Sequence, residues 1–202
     1  MNTTTLVSGE HEFEAARGLP EPLPRGERLL WQGSPDWRVL ARDALHGRAV
    51  AIYFAVLLGW RAVSVAADGG GPIEATRAVV TGLPLALLAL ALLALLAWLV
   101  ARTATYTITD RRVVMSIGVV LSVSFNLPLA QIVAADLRLR RDGSGDIALA
   151  LAGTQRIAWL HLWPHVRPWK LKRTQPMLRG LADARRVGAL LTQAVRERVA
   201  RD

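Results

Sequence analysis

His161 and His165 stand four residues apart, a spacing that puts two imidazoles on one face of a helix and lets them share a metal ion. Pro164 falls between them, and the flanking residues alternate apolar and polar. The stretch therefore reads as strand and loop, where the shared face is lost. No carboxylate lies beside the pair, and no metal is assigned. The chain has no cysteine, which excludes disulfides, thiolate ligands and thiol nucleophiles. Gly69-Gly70-Gly71 lacks the following Lys-Ser/Thr of a phosphate-binding loop. Ser144 sits between two glycines without the strand-to-helix context of a nucleophile elbow. The expectation is a protein that is not an enzyme, with no catalytic residue and no cofactor.

Aromatic and cationic residues carry the remaining chemistry, and it is binding chemistry. Trp163 and Trp169 bracket His165 and Arg167, and Lys170, Lys172 and Arg173 follow. Tryptophan and arginine dominate protein-binding hot spots, and they also suit a loop that dips into lipid headgroups. A third reading packs these tryptophans on the domain itself, and the three stay open. Trp31 and Trp37 raise the same choice between headgroup layer and packing. Arg61 interrupts an apolar run six residues before its end, where it snorkels to the interface or touches another membrane subunit.

Two hydrophobic helices must position these groups. Of the 202 residues, 52% are hydrophobic, and the excess is concentrated between Ala49 and Val100. Val79–Val100 is uncharged and apolar on every face. As a helix it extends about 33 Å, enough to cross a hydrocarbon core of about 30 Å. Pro84 falls in its first two turns. Val50–Ala67 is the partner span, and Asp68–Ala78 the connecting loop. Met1–Ser8 has no basic region, so the first span is expected to act as its own insertion signal. The arm up to Arg48 holds six arginines and the segment after Val100 holds seventeen Lys or Arg, against one in the loop. The positive-inside rule places both termini in the cytoplasm. The expected division is residues 1–48 as a cytoplasmic arm, 49–101 as a two-helix transmembrane hairpin, and 102–202 as a cytoplasmic domain.

The net charge of +9 calls for a polyanionic neighbour. For a tethered domain the anionic lipid surface supplies one, and no nucleic acid is needed. In the arm, Gly26–Gly33 reads as a strand. Ser34-Pro35-Asp36 starts an amphipathic helix with Trp37, Leu40, Ala41, Ala44 and Leu45 on one face. Beyond Arg102 the period changes to two. Thr105–Thr109, Val113–Ile117, Val119–Leu127, Gln131–Arg141, Ile147–Ala152 and Arg156–Trp163 read as short antiparallel strands. Met177, Leu181, Ala184, Gly188, Leu191 and Val195 then recur at helical spacing after Pro176. The expected fold class is membrane α+β: the hairpin, then a PH-like antiparallel β-barrel or sandwich with a C-terminal capping helix.

Tyr106–Val114, Gly118, Leu127-Pro128-Leu129 and Ile132 resemble the bacterial PH-like domain found beside membrane helices. Leu19–Glu27, Leu30–Trp37 and Leu162-Trp163-Pro164-His165-Val166-Arg167-Pro168-Trp169 resemble the PuhB family, assembly proteins of photosynthetic complexes in purple bacteria. The likeness covers nearly the whole chain after Glu10. It implies an assembly factor in the cytoplasmic or intracytoplasmic photosynthetic membrane, with reaction-centre membrane subunits as partners. It transfers no catalytic residues. A histidine that ligates bacteriochlorophyll would lie within a span, and His46 reaches only the edge of one. The other function class is a membrane-anchored PH-like module that recognises anionic lipid or another membrane protein. Homo-oligomerisation stays open.

Overall fold

The computed structural model describes Leu19 and residues 23–119, 121–152, 157–170 and 173–200. It opens with strand β1 (Leu29–Gly33) and a short helix α1 (Trp37–Val39) that widens into a π-helical turn over Leu40–Ala44. Asp36 caps α1, its carboxylate accepting from the Arg38 N–H at 2.8 Å. Two long helices follow, α2 (Gly47–Ala67) and α3 (Pro72–Thr103). Both are long and apolar enough to cross a membrane.

The connection between α2 and α3 is shorter than the expected Asp68–Ala78. Pro72 occupies the first turn of α3, where its missing N–H costs nothing and its fixed φ favours the helix. Helix therefore begins at Pro72, and Pro84 lies inside it rather than in its first two turns. The two helices approach closely at Gly82, where a Cβ would come within 2.5 Å of the Leu58 side chain. The C-terminal turns of α3 pack on the π turn, with Leu40 and Ala44 buried against Ala97, Val100 and Ala101.

Among the described residues, seven strands form two antiparallel sheets. One runs in the order β1-β2-β3-β4, with β2 Thr105–Thr109, β3 Arg112–Ile117 and β4 Val123–Pro128. The other runs β5-β6-β7, with β5 Ile132–Leu139, β6 Gly145–Leu151 and β7 Met177–Leu181. No pairing between named strands joins the sheets among the described residues, so the arrangement is two sheets around one core. Tyr106, Ile108, Met115, Ile147, Leu149, Leu162 and Leu178 fill that core. Helix α5 (Ala184–Val199) covers it with Ala184, Val187, Leu191 and Ala194.

Strand β1 comes from the arm and pairs with β2, so the arm supplies an edge of the first sheet. The turn between β2 and β3 fastens the chain just before it. Glu27 is buried and accepts from the Thr109 hydroxyl at 2.7 Å and from the Arg112 guanidinium at 2.9 Å. Asp110 accepts from the Arg28 N–H at 2.9 Å. The Thr-Asp-Arg-Arg sequence thus both turns the hairpin and holds the arm.

Three expected elements differ, and the strand expected over Val119–Leu127 begins only at Val123. Met177–Leu181 is strand, and the last helix begins only after Asp183, whose carboxylate caps it. Residues four apart share a face in both a strand and a helix, so the Met177–Leu181 interval fitted either period. Within the expected strand Arg156–Trp163, Trp159–Leu162 is instead one helical turn, α4. Arg156 lies outside the described residues.

Candidate functional site

The aromatic segment after α4 divides between core and surface. His165 is 1% exposed, and its Nδ1 meets the hydroxyl of Tyr106, itself fully buried on β2. The Arg179 N–H donates to that hydroxyl at 3.2 Å, and the His165 ring and the Arg179 carbonyl, at 3.5 Å, both face the phenol proton. Burial, reinforced by the Arg179 charge, lowers the His165 pKa from 6.5 to about 3. Burial likewise raises the Tyr106 phenol above its ordinary value. The imidazole is therefore a neutral core group. Its neighbour Val166 is also buried, bridging to Pro176.

Arg167 is half-buried. It pairs with Asp136 on β5 and donates to Gln175 at 3.0 Å. Trp163 is 42% exposed and Trp169, at φ 65°, is 93% exposed. Lys170 and Arg173 are exposed beyond it, and Lys172 lies outside the described residues. In the arm, Trp31 packs against the domain core, whereas Trp37 remains partly exposed with Arg38 stacked 5.6 Å from its ring centroid. Arg61 is exposed on α2, remote from all of these, and no ion pair holds it among the described residues. Of this segment Trp163, Trp169, Lys170 and Arg173 are exposed, and Arg61 stands on a different element, α2.

A second cluster lies where the hairpin joins the domain. Arg42 and Asp43 from the π turn, His46 and Arg48 at the start of α2, Arg138 and Arg140 from the end of β5, Asp146 on β6 and Arg179 on β7 line a pocket of about 520 Å³. Arg140 pairs with both Asp43 and Asp146. Arg42 pairs with Asp43 and with Asp142, each at 3.2 Å, and these carboxylates raise its pKa. The carboxylate of Asp142 is held below its usual range by Ser144 and Arg42. Ser144 donates to Asp142 in the hairpin turn, which gives its hydroxyl a structural partner. Arg179 donates to the Pro164 carbonyl at 2.9 Å, and burial lowers its pKa.

Sequence reasoning did not find this pocket. The alternation Leu137-Arg138-Leu139-Arg140 was the one local signal, because period two puts both arginines on one face. The remaining residues come from three separate parts of the chain.

The family model described as a bacterial PH domain matches residues 49–195, from the first long helix to the last turns of α5. The chain belongs to the bacterial PH domain family. The match takes in most of both long helices together with the strand domain. A relative from Rhodobacter capsulatus, described as an uncharacterized 23.7 kDa protein in the puhA 5′ region, is 37% identical over 191 residues. That alignment covers 94% of this chain and 89% of the relative. No solved structure matches.

Proposed function

We propose that this protein is a non-enzymatic, integral-membrane assembly factor that binds photosynthetic reaction-centre membrane subunits. Helices α2 and α3 form a hairpin across the cytoplasmic or intracytoplasmic membrane, with the Asp68–Gly71 turn outside. The arm and the basic domain lie together on the cytoplasmic face. The observation that carries the reading is the 37% identity, over 94% of this chain, to a relative described as lying in the puhA 5′ region. The Trp163-Pro164-His165-Val166-Arg167-Pro168-Trp169 run resembles the PuhB family, and the relative's description sets it beside puhA, which shares that name stem.

The surface of α2 supports membrane residence. None of its side chains is buried within the chain, and Ile52, Tyr53, Val56, Trp60 and Val63 are all more than half exposed. A face of that size and apolarity requires lipid or partner helices. Trp163, Trp169, Lys170 and Arg173 offer the subunit-binding surface on the domain, and Arg61 offers one within the span.

The test is affinity purification of the tagged full chain from phototrophically grown cells, paired with a deletion strain. Reaction-centre subunits are expected to co-purify, and reaction-centre levels to fall in the deletion. Normal levels with no subunit recovered would overturn the proposal. A second reading, recognition of anionic lipid, is favoured by the arginine-lined pocket.

A further inference from the structure

Two hollows adjoin at the start of α2, and Arg42 and Arg48 line both of them. One is the arginine-lined pocket of about 520 Å³. Its two acids, Asp43 and Asp146, are already neutralised by Arg42 and Arg140. Among the described residues, no acid forms an ion pair with Arg48, Arg138 or Arg179. Arg48 and Arg138 therefore lack a counter-ion, whereas Arg179 lies in the field of Asp146 and Asp43. Arg140 also keeps its Nη1 buried without a hydrogen-bond partner. The 21-residue helix α2 begins at the same place, and no side chain caps its free N–H groups.

The other hollow, about 330 Å³, is apolar. It runs between α1 and the hairpin, lined by Trp37, Ala41 and Ala51 and by Leu90, Leu93 and Ala94 of α3. The pair is thus cationic at one end and hydrocarbon-like at the other. It sits at the end of the hairpin that joins the domain, the level at which the spans leave the membrane in the topology proposed above.

We infer that the two hollows form a single site for one anionic phospholipid, with its phosphate in the arginine pocket and an acyl chain in the groove. Guanidinium groups match phosphate oxygens in planar, bidentate geometry, and such charge-assisted bonds are the strong ones. The acyl chain replaces lipid or water along Leu90 and Leu93. A bound lipid there ties the arm, the hairpin and β5–β7 together, because each contributes to the lining. The inference rests on the second reading above, recognition of anionic lipid, and on the hairpin spanning the membrane, and is independent of the assembly role.

The test uses the full chain, delipidated in a neutral detergent and followed by native mass spectrometry. It is titrated separately with short-chain phosphatidylglycerol, phosphatidylcholine of the same chain length, and inorganic phosphate. One phosphatidylglycerol per chain is expected, bound at least about tenfold more tightly than phosphatidylcholine. Arg48→Gln with Arg138→Gln removes two unpaired cations and is expected to weaken phosphatidylglycerol about tenfold or more. Arg138→Gln alone, on an exposed edge strand, is expected to give a partial loss should the double variant fail to fold. Ala51→Phe fills the groove and is expected to weaken the lipid while leaving phosphate unchanged. Equal binding of the two lipids, or arginine variants that bind normally, overturns the site. Phosphate binding as tightly as phosphatidylglycerol, with Ala51→Phe silent, makes it a free-phosphate site and overturns the lipid assignment. Failure of the span itself is read separately, by the labelling of residue 68 described below.

Discussion

The buried Tyr106–His165 pair joins β2 to the loop before β7. His165 was weighed in the sequence as a metal ligand and as a surface contact, and the fold uses it as a neutral core acceptor. Its pKa is depressed in the folded protein, to about 3, and returns to 6.5 on unfolding. The unfolded chain therefore binds the extra proton between those values. The stability due to the neutral imidazole is complete above pH 6.5 and is lost as pH falls toward 3, by up to about 1.4 kcal/mol per pH unit. The melting temperature of the detergent-solubilised chain is expected to fall between pH 6.5 and 4 more steeply than that of His165→Gln, which accepts from Tyr106 without titrating. Parallel pH curves would show that His165 does not carry the effect. Glu27 makes a second prediction at this scale. Glu27→Ala takes the buried carboxylate from the Arg112 guanidinium and leaves the Thr109 hydroxyl only the Arg112 carbonyl, and a loss of about 1–3 kcal/mol is expected. Thermal unfolding of the variant measures it.

Among the elements, the hairpin was the most legible. Continuous apolarity has no period to misread, and Val50–Ala67 and Val79–Val100 both fall inside observed helices. The exact ends were less legible because helix boundaries depend on capping rather than apolarity: Pro72 and Gly71 begin α3 seven residues before the apolar run. The close approach of α2 and α3 at Gly82 gives a clean test, since the chain has no cysteines. Oxidised Leu58→Cys/Gly82→Cys is expected to take up no maleimide, and the reduced protein two. Two equivalents after oxidation would mean that the helices do not meet there. The strands were legible wherever alternation ran between turn residues, as at Thr105–Thr109 and across the Asp142–Asp146 turn. The error at Met177–Leu181 came from a spacing common to both periods, and β7 is fixed by its pairing with β6.

At the scale of the molecule, the hairpin topology makes opposite predictions for two exposed positions. Asp68 is the C-cap of α2, and Ala189 lies on α5. In intact spheroplasts, Asp68→Cys is expected to react with a membrane-impermeant maleimide, while Ala189→Cys reacts only after lysis. Labelling of both without lysis, or of neither, would contradict the proposed crossing. The junction between hairpin and domain is also a property of the whole chain. Gly180, at φ 66°, has Asp36 packed against it and accepts the Asp36 N–H at 2.7 Å. A backbone contact thereby holds β7 to the start of α1.

The sequence by itself determined the apolar helices, the strand-rich basic domain and the amphipathic last helix. Each is a local pattern of burial, and one-dimensional periodicity records it. It also supplied the arginines, but not their grouping. Arg42, Arg48, Arg138 and Arg179 are separated along the chain by the hairpin, by β2–β4, and by β6 with the loop before β7, and no periodicity links them. Only the packing of α3 on the π turn, and of β7 on β6, brings them around one pocket. The same packing took His165 from the candidate surface into the core, because a buried tyrosine across the domain offered its nitrogen a partner.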